Sequence, residues 1–369
     1  MNASARAIRE YLRRETEVVD GDIHAAYRHE RNRKLTFTVL MVALAVVMFF
    51  LTLGVGTYKI GEWEAIQVMF DHLSGNITDA KGDYYVWTYR VPRAIAAIVA
   101  GVGLAIGGVV MQNLLKNPLA EPYTMGVSSG AMFGVTLSIG LGISIVPWFG
   151  EDIGNMINAF IFSLIPVAII LAISAFKKVT PTMMILVGIA VMYLFTSVTQ
   201  IVLVTSSSET MTEIYSWNIG TLARADWDNL PMLTVMTFAI SAAIYLLSRK
   251  LDVMYVGDRS AQSLGLKVNA FRLTALVLTC LLTATIVCCT GTIGFVGLVA
   301  PHVARIFVGS TNRYLIPASA AFGAAFLICA DTIAKAVGNG VLPVGVISSL
   351  VGGPLFLYIL VTQRKHAWM

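Results

Sequence analysis

Ten apolar runs divide this chain, at residues 35–56, 91–115, 125–146, 157–176, 183–204, 231–247, 273–293, 295–308, 315–335 and 344–361. Helices need about 20 residues to cross a ~30 Å hydrocarbon core. The pattern therefore predicts an all-α polytopic membrane protein of about ten transmembrane helices. The eighth run is short, and Pro301, His302 and Arg305 interrupt it.

The stretch from Arg90 to Gly134 carries the most local detail. Arg90-Val91-Pro92-Arg93 opens a long series of small and apolar residues, which ends in Gln112-Asn113-Leu114-Leu115-Lys116. Asn117-Pro118-Leu119-Ala120-Glu121-Pro122 follows. Each proline removes a donor and turns its predecessor away from helical backbone, so this segment reads as an elbow between two helices. Gly126, Gly130 and Gly134 then recur every four residues. That spacing lets a neighbouring backbone approach closely, the packing that van der Waals contact favours in lipid.

Composition agrees with a membrane protein. Apolar residues make up 57% of the chain and charged residues 13%, with a mean hydropathy of +0.75; soluble domains hold roughly 45–50% and about 25%. Basic residues decide orientation. The first 34 positions carry Arg6, Arg9, Arg13, Arg14, Arg28, Arg31, Arg33 and Lys34, and the C-terminus carries Arg364 and Lys365. Basic loops remain in the cytoplasm, so both termini are expected inside and the number of spans is expected to be even. Ten spans place about 20 of the 26 basic residues on that side. This topology accounts for the net charge of +5, and no nucleic-acid partner is required.

Three segments follow: a cytoplasmic basic extension over 1–34, a transmembrane domain over 35–365 and a cytoplasmic tail over 366–369. The extension is too long and too charged for the n-region of a cleaved signal peptide, so the first span is expected to be kept as a signal anchor. Ile8, Tyr11 and Leu12 form one side of a helix lying on the anionic inner leaflet, or belong to a solvated tail.

Reactive chemistry is sparse. His24, His29, His72, His302 and His366 have no metal-ligand spacing, and no GK[ST] phosphate loop is present. Cys280, Cys288, Cys289 and Cys329 sit in apolar runs without a CxxC pair and read as small packing residues. No catalytic, cofactor or metal site is predicted, so uphill transport would draw on an ion gradient or on a separate ATPase subunit. Ion-coupled transporters place ionisable groups near the midplane, yet these runs are nearly bare. The exceptions are Arg90 and Arg93, Arg305, and Asp331 with Lys335. The last two stand four apart, where one helical face pairs them, either as a structural ion pair or as a functional site. The absence of midplane acids favours a driven permease over an ion-coupled one. A membrane enzyme would need a titratable cluster at one depth, and none is found.

The largest interior loop, 248–272, reads as two short helices separated near Gly257 and closed by Gly265. Asp258 is placed to cap the second, and Ala261 and Leu264 give it an apolar face. The loop is an interfacial helix or a docking helix for a cytoplasmic partner.

Taken together, these residues resemble the FecCD-type permeases, the membrane subunits of type II ABC importers for iron-siderophores, haem and cobalamin. The resemblance spans roughly residues 35–365. It rests on Arg90 to Arg93, on Asn117 to Pro122 with Gly126-Val127-Ser128-Ser129-Gly130-Ala131, and on Trp217-Asn218-Ile219-Gly220-Thr221-Leu222 before Trp227. It continues in Gly257 to Leu266, in Gly291-Thr292-Ile293-Gly294-Phe295-Val296-Gly297-Leu298-Val299-Ala300-Pro301-His302, in Ala330-Asp331, and in Leu342-Pro343-Val344-Gly345 with Gly352-Gly353-Pro354. Residues 1–34 inherit nothing from it.

The resemblance implies a ten-span permease that pairs with a second copy, as a homodimer in the simplest case. Two cytoplasmic ATPase subunits would bind ATP–Mg, an extracytoplasmic binding protein would deliver substrate, and this chain would hold no cofactor. The expected cargo is a bulky metal chelate, ferric siderophore first, then haem or a corrinoid. Gly257, Asp258, Arg259, Ser260, Ala261, Gln262, Ser263, Leu264, Gly265 and Leu266 match the coupling helix that seats in the ATPase. Arg90 and Arg93, with Lys335 where the family often has arginine, match outward basic positions that meet acidic residues of the binding protein; lysine lacks the guanidinium fork. Asn117 and Leu119, with Thr180, Pro181 and Thr182, match the cytoplasmic gate, although Pro181 replaces the usual small hydroxyl residue. Residues 209–228 resemble the short outer helix after the fifth span. The implied mechanism is alternating access, in which nucleotide binds one conformation better than the other and a pathway free of fixed charge lets a chelate pass without being trapped. An ion-coupled secondary transporter is the alternative, and its transport would survive ATP depletion.

Overall fold

The computed structural model describes residues 3–178, 180–337 and 342–362, with side chains from residue 28 to 361 within those limits. The side chains of Ile8, Tyr11 and Leu12, together with Arg364, Lys365 and the predicted tail, lie outside the described residues. Among the described residues sixteen α-helices follow one another. The first half holds α1 Ala3–Gly54, α2 Glu62–Ser74, α3 Ala80–Asp83, α4 Val91–Leu115, α5 Val127–Leu141, α6 Glu151–Ser163, α7 Ile165–Ser174 and α8 Pro181–Thr205. The second holds α9 Ser208–Asn218, α10 Leu230–Leu246, α11 Ser248–Val256, α12 Asp258–Ser263, α13 Val268–Thr290, α14 Val296–Val308, α15 Asn312–Val337 and α16 Val344–Thr362. A π-helical stretch, Tyr84–Arg90, joins α3 to α4. No strand occurs among the described residues, only a parallel bridge between Ile219 and Thr292. Helix α1 runs unbroken through the boundary expected at residue 34.

Seven segments among the described residues are long and apolar enough to cross a membrane: Arg28–Gly54, Ala80–Leu115, Glu151–Ser174, Pro181–Thr205, Val268–Thr290, Asn312–Val337 and Val344–Val361. The pair α10 and α11, bent by 53°, makes an eighth. The two remaining predicted runs form shorter helices, α5 with 15 residues and α14 with 13. At ~1.5 Å per residue they rise only about 20 Å. Both begin inside the bundle. Gly297, the second residue of α14, packs against Leu104 and Gly108 in the body of α4. Gly126, just before α5, packs on Gly188, about two turns into α8.

Non-helical backbone at such depth is tolerated only where protein covers it. Here the two breaks cover one another. The Tyr123 hydroxyl donates to Ile293 O at 3.2 Å and lies 3.3 Å from the Ile293 N–H, which it accepts. On the second break, the Thr292 hydroxyl donates to Asn218 O at 2.7 Å, and just before it Thr221 N–H donates to Thr290 O at 2.8 Å.

Helix α4 is the central post, with 83% of its apolar window buried, against 17% for α1, 28% for α8 and 33% for α16. It crosses α15 at Gly101 and Gly323 and crosses α14 at Gly108 and Gly297, with main chain against main chain. Helix α15 also lies along α1, through Thr332 on Thr52 and Lys335 on Thr52 O. Residues 28–34, the elbow after α4 and the loop around α12 share one end of the bundle, below called the basic end.

Candidate functional site

At the end opposite the basic one, Arg90, Arg93 and Lys335 converge on carbonyls and one carboxylate. Arg93 donates to Asp331 Oδ1 from Nε at 2.9 Å and from Nη2 at 2.7 Å, a charge-assisted forked contact. Lys335 Nζ donates to Thr52 O at 3.1 Å and stands 3.5 Å from Asp331 Oδ2. Arg90 donates to Leu53 O at 2.6 Å and to Tyr58 O. The expected contact between Asp331 and Lys335 is present, but Arg93 makes the shorter bonds. The three cations are only 6%, 9% and 4% exposed. They therefore tie the ends of α1, α4 and α15 together and do not stand outward as free charges. Above them opens a cavity of about 470 Å³, lined in part by Gly54, Gly56, Lys59, Gly61 and Lys335.

At the basic end, Gly257 with φ 134 separates α11 from α12, and Gly265 with φ 83 closes the loop. Gly257 is the residue before the first turn of α12, so Asp258 does not cap it. Its carboxylate is shared between two cations. Arg272 Nη2 donates to both oxygens at 2.9 and 2.8 Å, and Lys116 Nζ to Oδ1 at 3.0 Å. Partial burial pushes this carboxyl upward, but the bonds from Arg272 and Lys116 outweigh that and hold it below its ordinary range. Ala261 is fully buried while Leu264 is 70% exposed, so the two do not share one apolar face. Arg259, Ser260, Gln262, Ser263 and Gly265 are exposed, and Leu266 is half-buried.

Lys116 ends α4 in a left-handed conformation, φ 48. Asn117 then closes a local turn, its Oδ1 accepting the Leu119 N–H at 3.0 Å, and Leu119 is 48% exposed. Thr180 caps α8, accepting the Met183 N–H at 3.2 Å, with Pro181 at the first helical position where its missing donor costs nothing. Thr182 follows on the same turn. The elbow meets α8 at Gly188, where an added Cβ would lie 2.6 Å from Thr124 O. Of the predicted packing glycines, Gly130 and Gly134 lie where α5 crosses α6, within 2.5 Å of Phe162 O and Asn158 O for an added Cβ. Gly126 turns the elbow with φ 81.

Sequence reasoning missed a polar seam at the basic end. Asn113 donates to Asn312 Oδ1 at 2.7 Å, and Asn312 donates to Asp252 Oδ1 from both its backbone N–H and Nδ2, each at 2.8 Å. Asp252 thus places its charge at the N-terminus of α15, where the helix dipole favours an anion. Arg305 Nη2 donates to Gln112 Oε1 at 3.1 Å. A pair of turn-forming or amide residues at an apolar run's end was the only local signal for this seam. Helices α8 and α16 contain no Asp, Glu, Lys or Arg. They expose Leu186, Tyr193 and Ile201 on one and Leu350, Leu357 and Tyr358 on the other.

The FecCD transport family profile matches residues 44–362. A hemin transport system permease protein from Yersinia pestis is 33% identical over 329 residues, 89% of this chain and 97% of that protein. A cobalamin import system permease protein from Halobacterium salinarum is 37% identical over 283 residues, 76% of this chain and 74% of that protein. The solved structure of a metal-chelate type ABC transporter, in an inward-facing conformation, matches with a TM-score of 0.78 at 28% identity, covering 89% of this chain and 99% of that one. The matched span takes in both buried breaks, the elbow and the α11–α12 loop, and on that ground the chain belongs to the FecCD transport family.

Proposed function

We propose that this chain is one half of a permease dimer that carries a bulky metal chelate, ferric siderophore first among the candidates, with both termini in the cytoplasm. As a FecCD-type chain it is the multi-pass permease subunit of an ABC importer, and ATP hydrolysis resides in separate subunits. One observation supports the finer reading above all others. Helices α8 and α16 are free of charge yet largely unburied within the chain. Faces of that kind suit a second copy meeting the first around a pathway lined by apolar and hydroxyl groups, one that holds a chelate weakly. The relatives named for hemin and cobalamin support a cargo of that size.

In this reading α12 and its flanks, residues 257–266, seat in an ATPase subunit that binds ATP–Mg. Asn117 and Leu119 with Thr180, Pro181 and Thr182 form the cytoplasmic gate. A binding protein docks at the opposite end over the cavity beside Lys59, on a rim that Arg90, Arg93 and Lys335 hold in place. ATP binding moves the coupling helices, and the pathway alternates between the two sides because nucleotide favours one conformation.

The test is ATP hydrolysis and uptake by the complex in liposomes while ferric siderophores, haem and corrinoids are titrated against its binding protein. The reading expects ferric siderophore to stimulate both. Stimulation by haem or a corrinoid alone would move the assignment to that chelate. Stimulation by a small oxyanion and by none of the chelates would overturn it.

A further inference from the structure

Three elements, one of them far away in sequence, meet on the Asp258 carboxylate. Lys116 ends α4 and lies 142 positions from Asp258, which opens α12. Arg272 stands in the first turns of α13, 14 positions on. The Arg272 side chain is 1% exposed and grips both carboxylate oxygens, so it ties the start of α12 to the first turns of α13. Lys116 and Asp258 remain 35% and 38% exposed. An ordinary exposed ion pair contributes about 0–1 kcal/mol, but this one has a buried, two-oxygen anchor on one side.

On the other side stands a backbone that L side chains rarely adopt. Lys116 has φ 48, where glycine or asparagine normally ends a helix. Glycine there would relieve the strain and would also remove the ammonium. Such strain persists when surrounding structure holds it, and it gathers at working sites. The next residue is Asn117, whose side chain fixes the turn onto Leu119.

We propose that Asp258 is a positioning residue that carries displacement of α12 to the elbow at Asn117–Leu119 through Lys116. The inference rests on the reading of α12 as the helix that meets the ATPase. Movement of α12 draws the Lys116 ammonium with it, and because the left-handed residue is continuous with the elbow, the end of α4 and the turn at Leu119 follow. Arg272 keeps the carboxylate aimed while this happens.

The experiment uses the whole complex in liposomes, with Asp258→Asn, Lys116→Met and Asp258→Glu. It reads ATPase co-purification, ATP hydrolysis and uptake per ATP, and also the distance between spin labels at Leu119→Cys and Gln262→Cys with and without nucleotide. Lys116→Met, outside the segment that meets the ATPase, should keep ATPase association and hydrolysis while uptake per ATP falls about tenfold, the effect of losing one charge-assisted bond, and Asp258→Asn should show at least the same loss of uptake per ATP. The 119–262 distance should hold constant between nucleotide states in the unaltered chain and in Asp258→Glu, and should change with nucleotide in the other two. Wild-type uptake per ATP with an unaltered distance in a Lys116→Met complex that assembles would overturn the inference. An ATPase that never associates with the unaltered chain would sink the reading of α12 instead.

Discussion

Alanine at Gly101 should force open the seam between α4 and α15. A Cβ there would lie 2.3 Å from Gly323 O and 2.7 Å from Gly323 C, and one at Gly323 would lie 2.4 Å from Gly101 O. Ordinary van der Waals contact begins at 3.4 Å, so the methyl arrives about 1 Å too close to a main-chain atom that no rotamer change can move. The helices must separate along a seam that also holds Arg93 on Asp331 and Asn113 on Asn312, each at 2.7 Å. Overpacking of this kind costs about 1–3 kcal/mol, and stretching either bond moves the cost toward the upper figure. Gly61 is the control. Its φ is −66 and nothing lies within 4 Å of an added Cβ, so alanine there should stay within about 0.5 kcal/mol of the unaltered protein. Because both glycines face one contact, the double Gly101→Ala/Gly323→Ala should cost less than the sum of the singles. Unfolding in detergent by SDS titration, followed by circular dichroism, measures all four variants. A Gly101→Ala cost as small as that of Gly61→Ala, or strict additivity in the double, would mean that the two main chains do not meet at these glycines.

Other perturbations follow from the same contacts. Asp331→Ala leaves Arg93 buried without its carboxylate and should cost about 3–5 kcal/mol, while Arg93→Met with Asp331→Leu should recover most of it in thermal unfolding. Asn158 accepts the Ile145 N–H at 3.0 Å and donates to Ile143 O and Gly134 O at 2.8 and 3.2 Å. Asn158→Leu strands those groups, so it should cost about 2–3 kcal/mol and speed proteolysis of residues 142–150. The Asp258 carboxyl is held low in the folded chain, so the unfolded chain binds the extra proton first as pH falls and stability declines with acidification. Its contribution is complete above the ordinary carboxylate range and is lost below it. The stability of the unaltered chain between about pH 6 and about pH 3 should therefore fall more steeply than that of Asp258→Asn; parallel curves would contradict the assignment.

Much of the architecture is legible in the sequence because lipid leaves the backbone few choices. The apolar runs, the prolines of the elbow and the spacing of Gly126, Gly130 and Gly134 each report a local necessity. Depth is not local in that sense. The run at 125–146 looks long enough to span, yet α5 starts only after the elbow has climbed to Gly188, and that climb depends on Tyr123 finding Ile293. Partner choice escapes for a related reason. Spacing placed Lys335 beside Asp331, but the stronger partner, Arg93, lies 238 positions away. Asp258 read as a helix cap because Ser, Asp and Asn open helices, and only the fold brings Lys116 and Arg272 to it. Helix α2 escaped altogether, since Glu62, Glu64 and Asp71 interrupt an apolar stripe too short to register as a span.

As an ABC importer permease this chain has no energy source of its own, and uptake in liposomes under separate control of ATP and ion gradients bears on that point without intermediaries. The complex of permease, ATPase and binding protein should keep taking up substrate when ionophores collapse every gradient, and should stop when ATP or the ATPase subunit is withheld. Gradient-driven uptake by this chain alone, without ATP, would contradict it.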